Sequence, residues 1–374
     1  MIKKIIITSL FFLALCIPVQ AEETPASDFY KQQAELSGVD RLEENLPSDT
    51  REFLRKNGIK PEENGWAGSL STKSVFSHIW EFFKAGAKTP LVCGGMILAV
   101  ILISGALNAV ETEISSTTAA YAITVSCAAV ITAPLLAIIN TSVDAMQATA
   151  KFMLTFVPVF AALVAASGQA VTSVSMSSLL LGAAQGLEMV ATHFVIPLMC
   201  GYLSISIASG VSPMLSRSAI ADSIKKISFW VMAFVTTIFV GVLSIQTVVN
   251  TSADSLSMRT AKFIIGTTVP VAGTALSEAF TTVTASLGML KTSVAIYGAV
   301  ACWVIFLPLI IELLLWRCVL NLTAVAADIF AASKTASLLR NIDTAISVLF
   351  GILLLTCAMF TISLTMVVFV GKAQ

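Results

Sequence analysis

Asn140-Thr141-Ser142-Val143-Asp144, followed by Thr149-Ala150-Lys151-Phe152 and then Val157-Pro158-Val159, decides the architecture. The same words return in the same order about 110 residues later. They read Asn250-Thr251-Ser252-Ala253-Asp254, Thr260-Ala261-Lys262-Phe263 and Val269-Pro270-Val271. Pro197-Leu198 and Pro308-Leu309 keep the same spacing. Apolar composition produces chance matches of Leu, Val and Ala. It does not produce two NTSxD pentapeptides and two TAKF tetrapeptides in step. One unit therefore occurs twice, over 117–209 and 228–316.

The solvent of that unit follows from composition. Charged residues make up 12% of the 374 positions and hydrophobic ones 56%. Soluble domains carry about 25% charged residues. Uninterrupted apolar runs occur at 91–107, 117–139, 187–209, 228–249, 294–316 and 346–370. A spanning helix needs about 20 apolar residues, so the chain reads as an all-α polytopic membrane protein with about six transmembrane helices. Segments 91–107 and 346–370 lie outside the repeat, as the first and last spans. Two further apolar stretches, 152–166 and 263–273, are short and broken by Pro158 and Pro270. They read as re-entrant segments, which irregular backbone permits only where protein or water surrounds it.

Asn, Thr, Ser and Asp compete for backbone hydrogen bonds, so the NTSxD words at Asn140–Asp144 and Asn250–Asp254 read as turns that end one helix and cap the next. Lys151, Arg259 and Lys262 mark basic turns beside apolar runs, where a long side chain can reach the headgroups.

The N-terminus has the three parts of a secretory signal over 1–21: Lys3 and Lys4, an apolar stretch, and Val19-Gln20-Ala21. Cleavage is expected between Ala21 and Glu22. Residues 22–88 then read as an extracytoplasmic region of short helices. It ends in an interfacial helix over 74–88, with Trp80 at headgroup level.

Chemistry is sparse. Formal net charge is zero, so nothing points to nucleic acid. None of the seven cysteines forms a CxxC pair. No HExxH, GxSxG, P-loop or paired intramembrane aspartate is present, which argues against an enzyme, a metal site or a cofactor. The intramembrane polar candidates are Glu188, His193, Glu278 and Glu312. His193 has Val304 at its place in the second copy, so a symmetric proton relay is not expected.

The run Arg259-Thr-Ala-Lys-Phe-Ile-Ile-Gly-Thr-Thr-Val-Pro-Val-Ala-Gly273 closely resembles a signature of the stage III sporulation protein AE family. Glu278, Thr281, Ser286 and Leu290-Lys291-Thr292 continue it. The resemblance covers the membrane region and is weak over 22–73. It implies a non-enzymatic component of a secretion-like channel complex needed for endospore development after engulfment. Such a protein would sit in the mother-cell-derived membrane around the forespore, its N-terminal region facing the intermembrane space. The implied partners are the other stage III sporulation A proteins, including a secretion-type ATPase and ring-forming subunits. The forespore membrane protein stage II sporulation protein Q is an indirect partner, and the lipid bilayer surrounds the whole. The contrasting reading is a stand-alone secondary transporter or ion channel, since paired broken segments in corresponding halves mark a midplane site in that class.

Charge counting favours six crossings. With 22–90 outside, six crossings place Arg217, Lys225, Lys226, Arg317, Lys334 and Arg340 inside, against Lys151, Arg259, Lys262 and Lys291 outside. Eight crossings divide the same residues evenly. A cysteine introduced at Ile220 should therefore react only from the cytoplasmic side. Labelling from outside would overturn six crossings, in which each unit crosses twice and the two run parallel, in favour of eight, in which each crosses three times and the two are inverted.

Overall fold

A computed structural model describes residues 37–61, 72–108, 113–211, 219–268 and 273–370. These residues are helical apart from short turns, with no strand among them. A 3-10 turn, Val39–Glu43, precedes α1, Ser48–Lys56. The long helices are α2, Thr72–Asn108; α3, Glu113–Ala166; α4, Ala170–Val190; α5, Ile196–Val211; α6, Ala219–Thr268; α7, Gly273–Ile329; and α8, Ser333–Val370. A π-helical turn, Ala191–Val195, joins α4 to α5 without a break. Six segments are long and apolar enough to span a membrane, counting α4 and α5 as one. Each contains an apolar run read from sequence, short of it only at 104–107, 117–119, 209 and 366–370.

Three local expectations are corrected. Residues 152–166 are not a separate re-entrant element, because α3 runs through Pro158 without interruption. The NTSxD words are not turns, because Asn140–Asp144 lies inside α3 and Asn250–Asp254 inside α6. Their hydroxyls bond back to the preceding helical turn: Thr141 to Ala137 O at 3.0 Å, Ser142 to Ile138 O at 2.7 Å, and Thr251 to Thr247 O at 2.6 Å. A hydroxyl satisfied in this way no longer competes for the helix's own amides. The interfacial helix and the first span are one helix, α2, with Pro90 inside it. The second proposed break, at Pro270, falls between described segments, as Ala21 and Glu22 fall before them.

The bundle is organised on α7 and α8, which form an antiparallel hairpin. Trp303 Nε1 donates to Thr361 Oγ1 at 3.0 Å, and Arg317 pairs with Asp343 at 3.1 Å. Arg340 pairs with Asp328 near the hairpin turn. Helix α8 is 78% buried over its apolar window and α6 only 22%, so α8 is the axis and α6 a flank. Thr124 of α3 meets Thr335 at 3.2 Å, and Thr236 of α6 meets Met359 Sδ at 3.8 Å. Helix α2 runs parallel to α7, with Gly94 against Val319 and Gly105 against Phe330. At 54 residues, α3 is about 80 Å long, against a hydrocarbon core of about 30 Å. The long helices therefore tilt strongly or project beyond the bilayer.

The N-terminal elements form a cap rather than a free domain. Val39, Leu42, Leu46, Leu54 and Ile59 are buried in the same core as the long helices. Each contributes about 1.5–3 kcal/mol by burial. Asn45 Nδ2 donates to Thr155 Oγ1 of α3 at 2.6 Å, and the ring of Phe53 stacks on Phe82 of α2 at 5.9 Å.

Close helix approach has a specific cost here. A Cβ added at Gly298 of α7 would enter the ring of Phe156. That ring is fully buried between Phe152, which is tilted to it, and Phe160, on which it stacks, at 5.4 Å from each. Gly298→Ala should destabilise the protein in detergent by about 1–3 kcal/mol. Gly95→Ala, which meets nothing within 4 Å, should be close to neutral. Thermal unfolding of both variants checks the difference.

Candidate functional site

The polar groups the fold gathers most closely lie where the α3–α4 turn meets α6 and α7. Helix α3 ends in a Schellman motif. Gly168 adopts φ +88°, its N–H bonding Ala165 O at 3.0 Å and the next N–H, of Gln169, bonding Val164 O at 3.2 Å. Gly168 also lies against the Met258 side chain of α6, so both conformation and space call for glycine.

Helix α4 starts with unsatisfied amides, as every helix does. No side chain of its own caps it. Asp254, from α6, does so instead. Its Oδ1 accepts from Val171 N at 2.8 Å and its Oδ2 from Thr172 N at 3.0 Å. A carboxylate at this position also meets the positive end of the α4 dipole. Lys291 of α7 donates to Gln169 Oε1 at 2.9 Å, and the Asp254 charge acts on it as well. Asp254 is 0% exposed, Lys291 2%, Gln169 3% and Asn250 4%, so the junction is sealed. Ser175 Oγ donates to Asn250 Oδ1 at 3.3 Å, and Ser173 Oγ to Ala161 O at 2.6 Å. Asn250 Nδ2 and Thr172 Oγ1 are buried without a protein partner. Buried charges persist only where paired and hydrogen-bonded. Here two buried opposite charges, each held by its own hydrogen bonds, tie three helices and a turn. Both oxygens of Asp254 are engaged, so the arrangement is suited to holding rather than reacting.

Of the site residues read from sequence, only Asn250 and Asp254 join this junction. Their first-copy counterparts, Asn140 and Asp144, are exposed on α3. Lys151 and Pro158 are also exposed on α3, as are Arg259 on α6 and Glu278 on α7. Lys262 is half-buried. Glu312 is half-buried with its Cβ close to Gly86. Glu188 and His193 come together through Thr192. The Thr192 hydroxyl bonds Glu188 O at 2.6 Å and lies 2.9 Å from His193 Nδ1. Gln169 carries no signal of its own in the sequence, and Lys291 enters there only through the family signature and the charge count. Lys291 was counted as a charge outside the membrane, yet it is buried within α7. Its apolar setting, Leu290 before it and Val294 after, was the available signal.

A model of stage III sporulation protein AE matches residues 61–371, which includes every residue of the junction. The chain belongs to that family. A relative from Bacillus subtilis (strain 168), named stage III sporulation protein AE, is 28% identical over 234 residues. The aligned segment covers 63% of this chain and 59% of that protein. No solved structure matches.

Removing the Asp254 carboxylate strands two helix amides and the Lys291 charge. Asp254→Ala should cost about 3–5 kcal/mol. Asp144→Ala, at the matching word of the first copy, should stay within about 0.5 kcal/mol. Adding Lys291→Met to Asp254→Ala should recover part of the loss. Denaturant unfolding in micelles measures all three.

Proposed function

We propose that this protein is a non-enzymatic integral component of a secretion-like channel complex. The complex would connect the mother cell with the forespore and be needed for endospore development after engulfment. The observation that carries the reading is the coincidence of two extents. The family match spans 61–371, and the six apolar helices occupy 79–365. The family's shared element is thus the helical bundle itself. Within it, the buried polar groups with the best-satisfied bonds tie helices together, which suits a platform or a conduit wall.

On this reading the protein lies in the mother-cell-derived membrane, with the cap over residues 39–59 facing the intermembrane space. The signal-like residues 1–21 motivate that orientation. Its partners are the other stage III sporulation A proteins, among them a secretion-type ATPase and ring-forming subunits. Stage II sporulation protein Q, in the forespore membrane, is reached through them. The repeated NTSxD and TAKF words belong to the same proposal, as two hairpins of common origin, α3 to α5 and α6 to α7.

Deleting the gene should leave vegetative growth normal and stop sporulation after engulfment. Heat-resistant spores at wild-type yield from the deletion strain would overturn the role. The competing reading, a transporter acting alone, requires solute flux from the purified protein in liposomes without partners.

A further inference from the structure

The depth of Glu188 is fixed by its neighbours. It borders a crevice with Met146 and Ala150 of α3 and with Thr356 and Phe360 of α8. Thr356 lies inside the stretch of α8 from Thr344 to Thr365, which has no charged residue. The stretch begins directly after Asp343, whose pair with Arg317 marks one end of it. Glu188 therefore stands near the middle of an apolar layer. Asp144 precedes Met146 by half a helical turn, and Thr192 and His193 follow Glu188 by about one turn, so all share that depth.

Asp144 and His193 are nevertheless exposed, as are Asn140, Thr141, Gln147 and Gln185 on the same helices. Among the described residues no ion pair holds Asp144, Glu188 or His193. An ionisable group facing lipid near the bilayer centre costs about 2.5–3.5 kcal/mol on insertion scales. The outward face of the neighbouring α6 looks quite different. The exposed side chains of α6 include Trp230, Phe234, Ile238, Ile245 and Val248, a surface suited to acyl chains. The backbone is also irregular at the polar level. The π turn over Ala191–Val195 places Thr192 between Glu188 and His193. Pro197 accounts for it in part, since it has no N–H to offer an earlier carbonyl. Such turns often coincide with functional positions.

We propose that the flank of α3 and α4–α5 bearing Asp144, Gln147, Gln185 and His193 borders a water-filled path through the membrane in the assembled protein. The α6 flank faces lipid. The occupant of the polar flank is water and the hydrated solutes it carries. This rests on the conduit reading above and names the wall of the conduit.

The test is single-cysteine reactivity in the full-length protein, in membranes of sporulating cells, with the partly accessible Cys200 and the exposed Cys318 replaced by alanine. His193→Cys, Gln147→Cys and Gln185→Cys are compared with Ile238→Cys and Val248→Cys. The probe is a permanently charged methanethiosulfonate ethyltrimethylammonium reagent. The three polar-flank cysteines should react at least tenfold faster than the two on α6. Equal and slow rates at all five would overturn the path, since lipid or a dry protein interface would then cover the polar flank. The positions at 147 and 185 give the same reading should His193→Cys fail to accumulate. Fast labelling in a protein whose deletion leaves sporulation intact would sink the sporulation role and keep the path. Slow labelling with blocked sporulation in the deletion strain would do the reverse.

Discussion

The Asp254 carboxylate, seated on the first free amides of α4, is the interaction on which the arrangement of the bundle turns. It joins residues more than 80 positions apart, so it fixes where α6 stands relative to the α3–α4 turn. Lys291, anchored to Gln169 of that turn, brings α7 to the same point. The two charges also make each other tolerable. Both are buried, and each would be costly alone in a medium of low dielectric constant. Apolar packing between helices is weakly directional when lipid is the competing solvent. A sealed polar junction supplies the register that packing leaves open.

Around that point the helices divide by role. The α7–α8 hairpin is the buried axis, with its ion pairs gathered toward its turn. Helices α2, α3 and α6 run beside it, and their contacts advance in step along the axis. The outer surface is uneven. It is apolar and aromatic along α6, and mixed along α3 and α4–α5.

The class and number of spans were legible because hydropathy is summed over some 20 residues, and single errors cancel. Local breaks were not. Thr141, Ser142 and Thr251 have the composition of a turn, yet a hydroxyl can satisfy a helix carbonyl as readily as end the helix. Pro158 reads as a break, and α3 absorbs it. The junction was half legible. Asp144 and Asp254 occupy identical words, and nothing local says which one is buried. The difference comes from the neighbour: Asp254 meets the start of α4, whereas Asp144 faces outward. Lys291 escaped because a lone lysine next to an apolar run ordinarily marks a membrane boundary. Its distant partner Gln169 and the nearby Asp254 charge explain it.

The cap has a consequence for biosynthesis. Val39, Leu42, Leu46, Leu54 and Ile59 leave the ribosome early, but α7, part of the floor they rest on, is made far later. Until α7 arrives, the nascent chain carries an apolar segment with its seat incomplete. Closing so long a loop slows folding far more than it weakens the finished contact. The interval is one in which chaperones and proteases compete for the N-terminus. Seating of the cap is then a late event, and it reports that α7 is in place.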